Sequence, residues 1–383
     1  MNILIIHNFY AGYGGENNIV KEQYKLLKNM NHNVFMFKRH NDQIKNKNIV
    51  YVFKNLFFKK LNQEIKKIIK EFKPDIAHVH NVFPLISSQI YNILWQYKIP
   101  IIQTVHNYRF ACPNGIMFKN GKICDKCLSS NNFFECVYNK CYNNSIFYSI
   151  WYAYSIMIGY KKHHFEKIDK FIVFNDFLKN ILIKKGFADK KIHVIPNFIS
   201  SSEYAPKYEK ENYIVYVGRF SEEKGIFTLL KSIKKIKNVN LKMLGDGGIK
   251  EKILEYINEN NINNVELCGF IDGDKKDYII TKAKALIVPS ECYETFGLVA
   301  IEAFSLGTLA IASNIGGLKY IIDDGYNGLK FSLTNYNDLT EKIKFIINNE
   351  NEMLQMSKNA YKTYIDKYTS CDHYKKLIEL YCK

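Results

Sequence analysis

The chain has 383 residues, 47% of them hydrophobic and 24% charged, which suits two domains of roughly 190 residues better than one core. This composition excludes a disordered chain, a collagen-like chain and a small disulfide scaffold. The net charge of +17 is segregated, with 29 Lys and Arg against 12 Asp and Glu in residues 1–195, and 25 against 25 in residues 196–383.

A basic first half implies an anionic partner: a membrane surface, nucleic acid or a phosphorylated substrate. Only Arg39, Arg109 and Arg219 are arginine, against 51 lysines. With abundant Asn and Ile, this points to an A/T-rich coding bias, so an arginine marks a place where a planar fork was kept.

Short apolar strands alternate with helical stretches. Asn2–Ile6, Asn33–Phe37, Ile76–His80 and Ile101–His106 read as strands, with helical runs at Asn17–Asn29 and Leu61–Phe72. Lys170–Val173 and Lys191–Ile195 add two more. The rhythm restarts with Tyr213–Val217, Asn240–Leu244, Val265–Cys268, Ala285–Val288 and Leu309–Ala312, and ends in the helices Met353–Tyr368 and His373–Cys382. This is the pattern of parallel sheets with covered faces. The polar segment Asn197–Asn212 reads as the interdomain linker. No signal peptide is expected, because Met1–Asn2 leads directly into a strand. The uncharged stretch Cys141–Tyr160 is too rich in Tyr, Asn and Ser for a membrane span, and reads as a buried or interfacial helix. A cytoplasmic chain with reduced cysteines is the expectation.

Three motifs follow strands, where open parallel sheets bind ligands. Gly12-Tyr13-Gly14-Gly15-Glu16 opens the first helix and suits close approach to an anion. Gly218-Arg219-Phe220 with Lys224-Gly225 places a fork and a point charge where both reach one diphosphate. Glu294-Thr295-Phe296-Gly297-Leu298, running to Glu302, sets helix-start amides for a phosphate beside two carboxylates suited to sugar hydroxyls.

These motifs, with Leu244-Gly245-Asp246-Gly247, Gly269-Phe270, Pro289-Ser290 and Gly316-Gly317…Asp324-Gly325…Asn327-Gly328, resemble family 4 of the retaining glycosyltransferases. Thr104-Val105-His106-Asn107-Tyr108-Arg109 and Cys112-Pro113-Asn114-Gly115 resemble a subgroup from bacterial capsule and O-antigen polysaccharide clusters. The resemblance implies the α/β GT-B fold, two facing Rossmann-like domains with a central cleft. Residues 1–198 would bind the acceptor, with a helix at about 368–383 packing back on them, and residues 199–367 would bind the donor.

It further implies transfer of a sugar from a nucleoside-diphosphate sugar to a glycan or polyprenyl-diphosphate-linked acceptor, by a metal-independent front-face route. Arg219 and Lys224 would hold the diphosphate, Glu294 the sugar hydroxyls and Glu302 the ribose. Phe270 would lie near the base and His106 would line the sugar site. Gly14, Gly15, Gly218, Thr295, Phe296, Gly297 and Leu298 would complete the donor contacts, with no catalytic cofactor.

Cys112, Cys124, Cys127 and Cys141, with a C-x2-C at their centre, read as a structural zinc site, Cys136 being able to replace Cys141; reduced cysteines or a disulfide pair are the alternatives. Lys59, Lys60, Lys66, Lys67 and Lys70 interleave with Leu61, Ile65, Ile68 and Ile69 after the apolar Phe53, Leu56, Phe57 and Phe58. That basic amphipathic helix and Ser145–Tyr160 suit the inner face of an anionic membrane. Two further readings are a zinc-knuckle nucleic-acid-binding protein and an epimerase or phosphorylase on the same fold. Neither is preferred, and no nucleic acid is expected, because the neutral second half and its ordered motifs fit a sugar-nucleotide donor.

Overall fold

The computed structural model describes residues 1–10, 12, 14–44, 59–200 and 204–382, and omits the side chains of 43, 44, 59 and 60. It divides into two units, one of Met1–Met117, Cys124–Ile195 and Tyr374–Lys383, the other of Phe118–Ile123 and Pro196–His373.

In the first unit, β1 (Asn2–Phe9), β2 (Asn33–His40), β3 (Ile76–Val79) and β4 (Ile101–Thr104) are parallel. A short antiparallel pair follows, β5 (Phe118–Lys119) with β6 (Lys122–Ile123), and is grouped with the second unit. β7 (Lys170–Val173) and β8 (Ile192–Val194) complete the first sheet, in the order β2-β1-β3-β4-β7-β8. Ile3, Leu4, Ile5 and Ile6 are all 0% exposed. Such unbroken burial, rather than alternation, marks a strand covered on both faces. The helix Gly15–Asn29 turns Ile19, Val20, Gln23 and Leu27 inward, the spacing of one helical face. The helix Ser370–Cys382 adds Leu377, Leu380 and Tyr381 to the core that holds Ile3, Ile5 and Val20.

The second unit has β9 (Tyr213–Val217), β10 (Asn240–Leu244), β11 (Val265–Gly269), β12 (Leu286–Val288), β13 (Ala310–Ser313) and β14 (Gly328–Phe331), in the order β11-β10-β9-β12-β13-β14. The last strand is not among those expected from the sequence, where Gly328 stands only in the Asn327-Gly328 motif. A Cβ at Gly328 would lie 2.2 Å from the Ala310 carbonyl oxygen, so only glycine lets β14 lie at this distance from β13. Ile214, Phe220, Leu229, Leu241, Ile287 and Ile343 belong to one buried core.

In each sheet the chain reverses direction of growth beside its first strand, between β1 and β3 and between β9 and β12. Ligands in such sheets bind at the carboxyl ends of these strands. Among the described residues, no helix is long and apolar enough to cross a membrane.

Candidate active site

At the carboxyl end of β9, the Gly218 amide donates to the Leu244 carbonyl and the Phe220 amide to that of Asp246, which ties the loop to β10. Phe220 anchors the loop in the core at 0% exposure. Arg219 points outward, its side chain 63% exposed. Its Nη2 donates to Glu223 Oε1 at 2.7 Å, and the Ser221 hydroxyl donates to the same oxygen. Glu223 thus aims the guanidinium, a role invisible in the sequence because Glu222 and Glu223 are neighbours with no spacing signal to separate them.

Lys224 ends a short turn closed by Gly225, whose φ is +66°. A Cβ there would lie 1.9 Å from the Pro289 carbonyl oxygen, so the β9 loop is pressed against the β12 loop. That contact brings Lys224 Nζ to 2.5 Å from Glu294 Oε1, where the Ser290 hydroxyl also donates, at 2.6 Å. Burial pushes the Glu294 carboxyl up, but the Lys224 ammonium and Ser290 outweigh it and hold the pKa below the ordinary value. Burial likewise opposes the Lys224 charge, and Glu294 outweighs it, so both stay ionised at neutral pH.

Glu294 is positioned through its own backbone. Its carbonyl accepts from the Gly317 amide at 2.6 Å, and a Cβ at Gly316, φ +52°, would lie 2.7 Å from that carbonyl oxygen. Thr295 and Phe296 follow, and Gly297, φ +107°, precedes the helix Leu298–Ser305, whose start has no side-chain cap. Glu302 lies on that helix and accepts from Lys276 Nζ at 3.1 Å; Asp272 stands 3.6 Å from the same ammonium. Burial raises the Glu302 pKa, with Lys276 working against it. Lys276 gave no sequence signal, being one lysine among many. An Asp-x-Asp triplet does occur, Asp272-Gly273-Asp274. Phe270 follows β11 and is 52% exposed.

The carboxyl ends of the first sheet are built differently. A Cβ at Gly12 or Gly14 would meet nothing within 4 Å. Gly14 is extended and Gly15 begins the helix, again without a side-chain cap. Tyr13 lies outside the described residues. Glu16 Oε2 accepts from the Tyr10 hydroxyl at 3.0 Å and from Asn107 Nδ2 at 3.1 Å.

His106 lies two residues beyond β4, with Nε2 at 2.8 Å from His80 Nδ1. The His80 ring stacks on His78, with centroids 4.3 Å apart. His78 Nε2 faces Thr104 Oγ1 at 2.6 Å, and its Nδ1 faces the Tyr381 hydroxyl. Burial, then the charges of His7 and His78, holds the His106 pKa well below its ordinary value. Burial lowers His7 to about 4. His7 and His106 are therefore neutral at neutral pH. A cavity of about 20 Å³ lies here, lined by His80, Asn81, His106, Asn107 and Arg109.

All five cysteines from 112 to 141 carry free thiols. Burial pushes Cys127 up to about 12, and the thiols of Cys112, Cys141 and Cys124 add to the shift. Among the described residues, no group of three or more His, Cys, Asp or Glu is arranged to hold a metal ion. In the helix Lys59–Phe72, Ile65 and Ile69 are buried while Lys66, Lys67 and Lys70 are exposed. Phe53, Leu56, Phe57 and Phe58 and the side chains of Lys59 and Lys60 lie outside the described residues. The helix Ile146–Lys161 buries Trp151, Tyr152 and Ile156 and exposes Phe147, Ile150 and Tyr154.

Two parallel-sheet units with glycine loops, and in the second a paired lysine and carboxylate at the switch point, define a two-domain transferase of the GT-B class. Comparison with known families makes this specific. The family described as Glycosyltransferase Family 4 matches residues 13–203, and that described as Glycosyl transferases group 1 matches residues 199–363. The chain belongs to the group 1, family 4 glycosyltransferases.

It is 36% identical over 192 residues to an uncharacterised glycosyltransferase of Methanocaldococcus jannaschii, covering 50% of this chain and 53% of that one. It is 24% identical over 268 residues to an uncharacterised 42.6 kDa protein of the Klebsiella pneumoniae cps region, covering 69% and 64%. These two matches thus span less than two thirds of the relatives' own lengths. Among solved structures, sucrose-phosphate synthase from Thermosynechococcus elongatus superposes with a TM-score of 0.74 at 19% identity, over 99% of this chain and 98% of that one. The Anabaena protein HepE, in complex with UDP and glucose, superposes with 0.67 at 14% identity, over 99% of each.

Proposed function

We propose that this chain transfers a sugar, with retention at the anomeric carbon, from a nucleoside-diphosphate sugar to a glycan or lipid-linked acceptor in surface-polysaccharide synthesis. The observation that carries the reading is the ion pair of Lys224 and Glu294, with Arg219 held by Glu223 on the same loop. A departing nucleoside diphosphate gains negative charge in the transition state. Arg219, Lys224 and the amides from Thr295 to Leu298 meet that charge. Glu294, kept ionised by Lys224, accepts hydroxyls of the transferred sugar. Glu302 accepts from the ribose, and the exposed ring of Phe270 lies against the base. Gly14, Gly15 and Gly218 let the backbone approach the diphosphate. The acceptor oxygen bonds to the anomeric carbon as its bond to the phosphate oxygen breaks, and that phosphate oxygen takes the acceptor's proton. His106, neutral beside His80, lines the sugar site without adding positive charge.

A relative from a cps region supports the polysaccharide assignment, and a neighbour holding UDP and glucose supports the donor class. The test is turnover of UDP-, GDP- and ADP-sugars by the full chain. One donor class is expected to be consumed, with the activity lost in Arg219→Ala and Glu294→Ala. Activity that survives both substitutions overturns the site.

We also propose that the chain works at the inner face of an anionic membrane. Lys66, Lys67 and Lys70 are exposed on one helix, and Phe147, Ile150 and Tyr154 on another. Flotation with anionic vesicles, lost at high salt, is expected; equal flotation with neutral vesicles overturns it. A structural zinc on Cys112, Cys124, Cys127 and Cys141 is a separate proposal, supported by their spacing and by the effect of the other three thiols on Cys127. Metal analysis of the purified chain tests it, since a zinc-free folded protein ends the idea.

A further inference from the structure

The first unit holds one charged group that the reading above leaves without a task. Arg109, one of three arginines, is 7% exposed. The other two arginines pair with Glu64 and Glu223, whereas Arg109 has no ion pair among the described residues. Its guanidinium carbon lies 5.3 Å from the ring centres of both Tyr10 and Tyr152. Nη1 donates to Asn81 Oδ1 at a long 3.4 Å, and the buried Nε has no hydrogen-bond partner. Gly115, φ +82°, closes over the stem, since a Cβ there would lie 3.3 Å from Arg109 Cγ. The fork is therefore fixed in place before any ligand arrives.

Close by in the chain's electrostatics is a second group short of a partner. Glu16 uses Oε2 on Tyr10 and Asn107, while its buried Oε1 accepts from nothing. Burial raises the Glu16 pKa and outweighs the opposing charge of Arg109. In a chain whose default cation is lysine, such a guanidinium reads as a recognition group rather than as a support. Arg109 also lines the cavity of about 20 Å³ with Asn81, His106 and Asn107. That is room for one water-sized group, the size of a single phosphoryl or carboxylate oxygen.

We propose that this cavity is an oxyanion subsite, in which Arg109 holds a phosphate or carboxylate oxygen of the sugar-accepting molecule. The inference rests on the glycosyltransferase reading and deepens it. The donor's diphosphate already has Arg219 and Lys224, so the second anion belongs to the acceptor. The charge distribution agrees, because the whole excess of +17 lies in residues 1–195. An acceptor carrying negative charge would be drawn to that unit.

With only three arginines, the nitrogen-15 spectrum of the Nε–H groups of the full chain has three signals, assignable through Arg39→Lys, Arg109→Lys and Arg219→Lys. UDP is added first, to fill the donor site. Inorganic phosphate, glucuronate and glucose are then titrated separately. The Arg109 signal is expected to move saturably with phosphate or glucuronate and to ignore glucose. Whichever anion acts at the lower concentration identifies the oxyanion. By calorimetry with UDP present, Arg109→Gln is expected to weaken binding of that anion about tenfold to a hundredfold, the range of a charged hydrogen bond.

An Arg109 signal that ignores both anions, or that moves only with UDP, overturns the subsite. If UDP moves the Arg219 signal while the Arg109 signal ignores both phosphate and glucuronate, the subsite falls and the glycosyltransferase reading stands. If UDP moves neither, that reading falls as well.

Discussion

The two switch points share a plan and differ in how they are held. In the second unit, backbone meets backbone: Cβ atoms at Gly225, Gly245 and Gly247 would lie 1.9, 1.9 and 2.2 Å from the carbonyl oxygens of Pro289, Gly218 and Phe220. Its charges are already paired, Lys224 with Glu294, Arg219 with Glu223 and Lys276 with Glu302. In the first unit, a Cβ at Gly12 or Gly14 would meet nothing within 4 Å, His7 and His106 are neutral imidazoles, and Arg109 makes no ion pair among the described residues. The second site is rigid before a ligand arrives, as recognition of an invariant diphosphate requires. The first leaves space and unmet hydrogen bonds, which suits the part of a substrate that varies.

The sharpest way to break this contrast is to remove the two cations of the second site. Arg219→Ala and Lys224→Ala should each lower turnover of the donor by about 10²–10³-fold, the loss typical of one preorganised group facing transition-state charge. Their effects on stability should differ. Arg219 is 63% exposed, so solvent screens its pair with Glu223, whose side chain is 11% exposed, and its loss should cost about 1 kcal/mol. Lys224→Ala leaves Glu294, whose side chain is 18% exposed, without its counter-charge and should cost about 3 kcal/mol. Steady-state kinetics and urea unfolding measure both; equal stability losses would mean that Lys224 is not holding Glu294.

The glycines offer the next contrast. Gly225→Ala demands both a left-handed alanine and a 1.9 Å approach to the Pro289 oxygen, so about 3 kcal/mol or more should be lost. Gly12→Ala should stay within about 0.5 kcal/mol, since nothing stands within 4 Å of the added carbon. Its effect should appear instead in the KM for the donor, if the loop is kept open for a diphosphate.

The same contrast explains what could be read without a structure. The second site was legible because its strands end in glycines whose positions packing dictates, and because an arginine stands out among lysines. β1 and β9 announced themselves through runs such as Ile3–Ile6 and Tyr213–Val217. What escaped were partners chosen in three dimensions. Glu223 and Lys276 are common residues with no distinguishing spacing, and each gains its role only when a loop or helix is folded beside its partner. The histidine cluster escaped for a related reason. His78 and His80 come from the end of β3 and His106 from beyond β4, and only the pairing of those strands makes them neighbours. The strand predicted over Ile101–His106 ends at Thr104, although the Val105 amide still reaches the Ile172 carbonyl.

Acid should separate the two units. The folded pKa of His7 is lowered from 6.5 to about 4, as is that of His164. The unfolded chain therefore binds protons that the folded one refuses. The stability tied to these neutral rings is complete above the ordinary histidine value and is lost as pH falls from 6.5 towards 4. From His7 alone the loss at pH 5 should be about 2 kcal/mol. Glu294 and Glu223 are lowered from 4.5, so the stability they bring persists at pH 5 and is lost only below the ordinary carboxylate value. Hydrogen exchange corrected for intrinsic rates should show β1, β3 and β4 exchanging faster at pH 5 than at pH 7, with β9 and β12 little changed. Simultaneous loosening of both sheets would sink the comparison.

The smallest expected effect tests whether all the pairs of the second unit act alike. Lys276 and Glu302 form a pair whose side chains are 16% and 28% exposed, on helices away from the glycine contacts. If Glu302 holds a ribose that does not change during the reaction, it binds ground and transition states equally. Glu302→Gln should then raise the KM for the donor about tenfold and leave kcat nearly unchanged. Lys276→Met, which also removes the cation beside Asp272, should weaken donor binding through Glu302, so for the donor KM the double variant should be no worse than Glu302→Gln. A fall in kcat as large as the rise in KM would instead place Glu302 beside the reacting atoms, and the division between a pair that meets the leaving group and a pair that only binds would be lost.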